Sequence, residues 1–311
     1  MSVDPEALSP DALVATLIAG PDYKLSSDLI DKTAFALNTN QTAWLDPGHA
    51  ADLFITMSVP LPDIYALARD AIGNAPCDVL IQPVKTRRKK LLIADMESTI
   101  IEQEMLDELA DMIGLRKQVA GITSRAMNGE LDFAAALRER VALLKSQPES
   151  ILKTAAEAIT HMPGASSLLA TMKKHGAKSW LVSGGFAYFV EPVAKQLGFD
   201  ASHANHLIVS DGVIIGEVAN PILDKDSKRE LMQKACVGYG LQISDALAVG
   251  DGANDVPMLK TCNAGGGFGV AFQAKPKVRG VIPHQINYGD LSALLYAQGY
   301  TRDEITSSSR T

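Results

Sequence analysis

Apolar positions in the first 85 residues come in short alternating stretches. Residues 12–18, 41–45, 53–57 and 78–82 read as strands, with residues 28–37 and 63–72 spaced as helices between them. The resulting order, βαββαβ, is the ferredoxin-like plan. A basic run at 85–90 (KTRRKK) then predicts a solvated linker, dividing the chain into domains at 1–85 and 86–311. Beyond it the pattern changes. Short continuous apolar runs at 90–94, 179–182 and 246–249 read as buried parallel strands. Helical spacing fills 104–113, 119–127, 133–145 and 151–159, and a hairpin is expected at 206–218, turning at 210–212. Strands alternating with helices predict a mostly parallel α/β sheet. The block of helices after the first strand predicts a cap, at about 102–160, over the working edge of that sheet.

Composition narrows the class without naming a function. The chain has 311 residues, 47% hydrophobic and 21% charged, enough for a substantial core. A net charge of -7 with dispersed Lys and Arg argues against a general nucleic-acid binder. The opening MSVDPEALSP has no basic n-region and no apolar h-region, so no signal peptide is expected. No apolar run approaches the roughly 20 residues of a membrane helix. Cys77, Cys236 and Cys262 are scattered and odd in number, which fits a reducing cytoplasm better than a disulfide framework. His203 and His206 stand three apart with no second pair, too little for a zinc site.

Chemistry concentrates where apolar strands run out. Ligands of open α/β sheets bind beyond the carboxyl ends of the strands. Three such ends are polar here: Asp95-Met96-Glu97-Ser98-Thr99, Ser183-Gly184-Gly185, and Gly250-Asp251-Gly252-Ala253-Asn254-Asp255. Together they suit phosphoryl transfer. A strand-end carboxylate can attack phosphorus to give an acyl phosphate. Two anions repel, so a cation must bridge them, and Mg2+ takes oxygen ligands from few carboxylates, phosphate and water. Asp95 and Asp251 can supply those ligands. Ser183 and the amides of Gly184 and Gly185 can donate to phosphate oxygens, and Lys228, near a helix start at Asp226-Ser227, can complete the neutralisation. Taken singly, Asp95 is as easily a helix cap, Ser-Gly-Gly a turn and Lys228 a surface lysine. The four together, in this order, make those readings weak.

In that order the motifs resemble the haloacid dehalogenase superfamily, and specifically its phosphoserine phosphatases. The resemblance runs from Asp95 to Asp255 and on to about Tyr300. The family's Asp-x-Asp-x-Thr is matched by Asp95 to Thr99, its serine by Ser183, its lysine by Lys228, and its GDGxND by Asp251, Asn254 and Asp255. It implies a Rossmannoid parallel sheet with a helical cap and an Mg2+-dependent hydrolysis of O-phospho-L-serine, the last step of serine biosynthesis. It also implies Asp95 as nucleophile and Glu97 as general acid/base. Asp95, Glu97 and Asp251 would hold the metal, with Asp255 supporting them, and Ser183, Gly184, Lys228 and Asn254 would meet the phosphate. Glu104 matches the family glutamate that meets the substrate ammonium, and Arg140, in Arg138-Glu139-Arg140-Val141, the arginine that meets its carboxylate. Met127 and Phe133 would shield the closed site. Residues 1–85 resemble an ACT-like domain, a module often used for amino-acid binding or for a homodimer. Two departures stand out. Glu97 replaces the family aspartate, and Asn263 to Gly269 is unusually rich in glycine. Another phosphatase or phosphotransferase of the superfamily, or a catalytically weak amino-acid sensor, remains as the alternative.

Overall fold

The structure, a computed structural model, describes residues 9, 12–56, 59–127 and 130–306. The amino-terminal unit follows the expected order: β1 (Leu13–Ala19), α1 (Ser27–Ala36), β2 (Thr42–Asp46), β3 (Ala50–Ile55), α2 (Leu61–Ile72) and β4 (Cys77–Pro83). Its antiparallel sheet runs β2-β3-β1-β4. Met57, in the expected third strand, lies outside the described residues. Period-two alternation gives this sheet two apolar faces. Ala15, Leu17 and Ala19 pack under α1 and α2 with Ile30, Ile64 and Tyr65, whereas Ile18, Leu45, Ala50 and Leu80 join the core of the following unit.

That second unit holds a six-stranded parallel sheet in the order β12-β11-β10-β5-β6-β7. Its strands are β5 (Leu91–Ala94), β6 (Lys178–Phe186), β7 (Ala201–Asn205), β10 (Ala246–Gly250), β11 (Phe268–Phe272) and β12 (His284–Ile286). The continuous apolar run of β5 is explained by burial on both faces. Leu92 and Ala94 join one cluster, and Leu91 and Ile93 the other. After β5 come the cap helices α3 (Met105–Met112), α4 (Arg116–Met127), α5 (Phe133–Ala142) and α6 (Ser150–Glu157). Asp132 caps α5 by accepting the Ala135 N–H at 2.7 Å. Helices α7 (Ala165–Lys174) and α8 (Ala187–Leu197) cover one face of the sheet; α9 (Lys225–Gly238) and α10 (Val256–Ala264) cover the other. Short helices α11 (Pro276–Arg279) and α12 (Ala293–Ala297) complete the unit. The hairpin forms as β8 (Leu207–Ser210) and β9 (Val213–Val218). It bonds to the cap backbone through Ser146 N–H to Ile214 O, Ile214 N–H to Gln147 O and Glu149 N–H to Gly212 O, at 2.9, 2.9 and 2.8 Å.

The basic run is solvated only in part: Lys85, Arg88 and Lys90 are exposed, but the other two basic residues turn inward. Lys89 is 3% exposed and donates from Nζ to Ser244 O at 2.9 Å. Arg87 meets the buried Asp52 at 2.6 Å, and Arg88 lies over the Tyr300 ring at 4.2 Å. Charge predicts exposure only when no partner waits inside, and here β3, the turn before β10 and the carboxyl-terminal segment each supply one. More contacts reinforce the junction. Asp78 accepts the N–H groups of Asn287, Tyr288 and Gly289, and Gln82 Nε2 donates to Ala297 O at 3.0 Å.

The glycine-rich stretch has a packing cause. A Cβ on Gly265 would come within 2.8 Å of Ile243 Cβ, and one on Gly269 within 3.0 Å of the Leu259 backbone. One on Gly267 would reach 2.6 Å from Cys262 Sγ and 2.9 Å from Ala246 O. The glycines let α10 lie directly on β10 and β11.

Candidate active site

β5 and β10 are neighbours in register, with Ala94 opposite Val249, so the residues that follow them meet. Asp95 and Asp251 are each 5% exposed, and Asp255 is fully buried. Carboxylate oxygens of all three lie within 4.8 Å of one another. Asp95 Oδ1 accepts the Met96 N–H and pairs with Lys228 Nζ, both at 2.7 Å. Neither bond uses Oδ2. Lys228 also pairs with Asp255 at 2.7 Å. Asp255 Oδ2 accepts the Gly252 N–H at 2.9 Å, so Asp255 holds the loop and the lysine from behind. Burial raises Asp95 well above the usual carboxylate range, and Asp255 and Asp251 add to this against the pull of Lys228. Burial works to lower Lys228, but the fields of Asp255 and Asp95 outweigh it and keep it charged. Asp251 is pushed up to about 6, first by burial, with Lys275 opposing. The donors here are all hard oxygens, which suits a hard divalent cation.

The Ser-Gly-Gly turn is an irregular extension of β6, where the register with β7 shifts between Val182 and Phe186. Ser183 is fully buried and accepts the Gly185 N–H at 3.0 Å. The glycines are explained by what lies against them. A Cβ on Gly184 would sit 2.9 Å from Phe133 Cζ, so the cap aromatic rests on the turn. One on Gly185 would sit 3.0 Å from Glu97 Oε1 and 3.1 Å from its Cδ. The longer acid at position 97 therefore has its room. Its Oε1 accepts the Met105 N–H, at the start of α3, at 3.0 Å. Burial, then Glu104, push Glu97 up to about 8.

Of the cap residues, Glu104 accepts from Ser98 Oγ at 2.9 Å and lies 3.4 Å from Lys275 Nζ. Arg140 Nε donates to Ala136 O of its own helix at 3.3 Å. Burial lowers Arg140, while Glu97, Asp107 and Glu104 act to keep it charged. Asn254 lies on the Asp251–Asp255 turn with its Oδ1 against Gly252. The side chain of Met127 lies outside the described residues, as do Asn128 and Gly129. Three contributors escape the motif reading. Ser98, at φ 53, aims its hydroxyl at Glu104. Asn205 ties the second motif to the approach of α9 through Gly184 O at 2.8 Å and Leu223 N–H at 2.7 Å. Lys275 reaches Asp251 Oδ2 at 3.2 Å. Asn205 is the last residue of β7 and Lys275 comes three residues after β11, and recognising those strands would have flagged them.

A buried strand-end aspartate, a lysine shared with a second acidic loop and a helical lid are the marks of one class of enzyme. The chain belongs to the haloacid dehalogenase-like hydrolase family, whose model matches residues 92–260. Within it, the chain is 45% identical to the phosphoserine phosphatase of Streptococcus thermophilus, over 65% of this chain and 93% of that protein. It is 39% identical to phosphoserine phosphatase SerB2 of Mycobacterium tuberculosis over 70% of this chain, and that match spans 53% of the longer relative. Among solved structures, a family hydrolase of Salmonella enterica serovar Typhi superposes with a TM-score of 0.82 at 28% identity, covering 92% of this chain and 98% of that one. Among the described residues no helix is long and apolar enough to cross a membrane.

Proposed function

We propose that this enzyme hydrolyses O-phospho-L-serine to L-serine and phosphate through a phosphoaspartate on Asp95, the last step of serine biosynthesis. The observation that carries this reading is the asymmetry of Asp95. Its Oδ1 is held by Lys228 and Met96, which leaves Oδ2 as the attacking atom. Attack forms the Oδ2–P bond as the ester P–O bond breaks, and Glu97 hands its proton to the departing serine oxygen. A water then gives its proton to Glu97 and attacks phosphorus, breaking the bond to Asp95 and freeing phosphate. An acid held near 8 suits a group that must donate and then accept. Ser183, Gly184, Asn254 and Lys228 would hold the phosphate oxygens. Mg2+, on Asp95, Asp251 and the carbonyl of residue 97, would neutralise charge between carboxylate and phosphate. For the rest of the substrate, Glu104 would accept the ammonium and Arg140 would pair with the carboxylate, beneath Phe133 and Met127. Buried, unpaired Cys77, Cys236 and Cys262 suit a reducing compartment, and we assign the enzyme to the cytoplasm.

The test is Asp95→Asn with phosphate release from phosphoserine as readout and circular dichroism as the folding control. Activity should disappear while the fold remains, and a fluoride analogue of phosphate should be retained by the unaltered enzyme alone. Undiminished turnover by the variant, with deamidation excluded by mass spectrometry, would overturn the mechanism.

A further inference from the structure

Lys275 belongs to none of the motifs, yet it joins the two halves of the site. Beyond β11 the chain turns at Gln273, φ 41, and the Lys275 N–H donates to Asp251 O at 3.2 Å. That bond fixes the root of the side chain beside the metal-binding loop. Pro276 begins α11 immediately afterwards and ends any freedom on the other side. From this root Nζ spans two carboxylates, Asp251 Oδ2 at 3.2 Å and Glu104 Oε1 at 3.4 Å. The first belongs to the sheet and the second to the cap. Among the described residues, no other lysine or arginine pairs with Glu104 or Asp251. Ser98 Oγ donates to the same Glu104 oxygen at 2.9 Å.

On the reading in which Glu104 accepts the ammonium of phosphoserine, Lys275 carries the same chemical group to the same oxygen. We propose that Lys275 is a specificity-positioning residue: its ammonium stands in for the substrate ammonium on Glu104 while the site is empty, and gives Glu104 up when an amino-bearing substrate arrives. An amino-bearing phosphomonoester must displace Lys275 and then satisfies Glu104 itself. One without the amino group leaves Lys275 where it is, so Glu104 never faces the substrate carboxylate unpaired. Lys275 thus lowers the contrast between the two substrates. Its charge also opposes a divalent cation at Asp251.

The inference rests on the phosphoserine reading, and the experiment separates the two. Lys275→Met removes the charge and nearly keeps the length; Lys275→Arg keeps the charge. Lys275 is 55% exposed, so neither change disturbs the core. Phosphoserine is compared with 3-phosphonooxypropanoate, which differs by the missing amino group. In Lys275→Met the KM for phosphoserine should fall with kcat little changed, and the kcat/KM ratio of the two substrates should rise about five-fold, the ceiling for a half-exposed pair. Lys275→Arg should return the ratio to within about two-fold of its original value. Calorimetric titration with Mg2+ alone, without substrate, should show about five-fold tighter binding to Lys275→Met. If the unaltered enzyme leaves phosphoserine uncleaved, the substrate assignment fails and this inference with it. If it cleaves phosphoserine but Lys275→Met leaves the ratio and the Mg2+ affinity unmoved, this inference alone is overturned.

Discussion

Gly185→Ala tests how the protein accommodates a glutamate at position 97. The new Cβ would lie 3.0 Å from Glu97 Oε1 and 3.1 Å from Cδ. A carbon and an oxygen rest at about 3.4 Å, so the carboxyl must retreat by about 0.4 Å. Folding should suffer little, below about 1 kcal/mol, because the end of a flexible side chain gives way rather than backbone. Catalysis should suffer more. A displacement of about 1 Å can cost 10²-fold, and scaling to 0.4 Å predicts a five- to ten-fold fall in kcat. Removing the proton altogether, by Glu97→Gln, sets the floor at about 10²–10⁴-fold. In the Glu97→Asp background the carboxyl is drawn back by about 1.5 Å and no longer meets the new methyl. Glu97→Asp should itself be slower, because its carboxyl loses the Met105 N–H, but adding Gly185→Ala to it should cost less than about two-fold. The coupling in this double-mutant cycle is about 1 kcal/mol. The assay is steady-state phosphate release at saturating substrate and Mg2+ for the four proteins. Equal losses in both backgrounds would refute the idea that Gly185 makes room for the longer acid.

Arg140→Ala should reduce kcat/KM for phosphoserine about thirty-fold more than for phosphoethanolamine, which lacks the carboxylate; this corresponds to about 2 kcal/mol for a truncated charged bond. Equal losses would make Arg140 structural. His284, 6% exposed, is lowered to about 4 by burial and is hydrogen-bonded to Tyr65 at 2.6 Å. A histidine that titrates lower when folded loses stability as pH falls from its unfolded value near 6.5, and the loss is complete below about 4, at about 3 kcal/mol. His284→Asn should flatten that part of the denaturation-midpoint profile, and an unchanged profile would exclude His284 as its source. A fragment of residues 86–311 keeps every motif residue but uncovers Tyr296, Ala297 and the amides bound by Asp78; it should melt well below the full chain, and a fragment equal in midpoint and solubility would show the junction to be dispensable.

The motif residues were legible because three of the four motifs are short contiguous runs at strand ends, where the sheet itself brings them together, and Lys228 follows a marked helix start at Asp224–Ser227. The βαββαβ order was legible for a different reason: short apolar runs, buried on both faces, alternate along the chain with amphipathic helices. Elements that the apolar pattern does not mark include β7, β11 and β12. Phe268 to Phe272 is apolar but hides behind glycines whose purpose depends on Ile243 and Leu259, residues distant in sequence. Losing β11 meant losing Lys275. The basic run misled for the complementary reason, since nothing local marks Asp52, Ser244 or Tyr300 as its partners. Gly184 and Gly185 were noticed for their approach to phosphate, but their neighbours are Phe133, on the cap helix α5, and Glu97, on the loop after β5, which only the folded chain brings to them.

The hairpin β8–β9 is fastened to the cap, and this bears on how the cap could open. Its three backbone bonds to residues 146–149 fasten it to the segment between α5 and α6 of the cap. A second attachment lies at the lid's root, where the two connecting strands run side by side: Glu102 N–H donates to Thr160 O at 3.0 Å and Met162 N–H to Ile100 O at 2.9 Å. Peeling the lid from the hairpin would forfeit the first set, at about 0.5–1.5 kcal/mol net for each bond. Swinging both together keeps them, and moves the bending to that paired root and to the stems of the hairpin near Asn205 and Ala219. An opening that kept these bonds would carry cap and hairpin together as one leaf, bending at those two places. The second of those places is tied by Asn205 to the backbone of Gly184, in the second-motif turn of the candidate site.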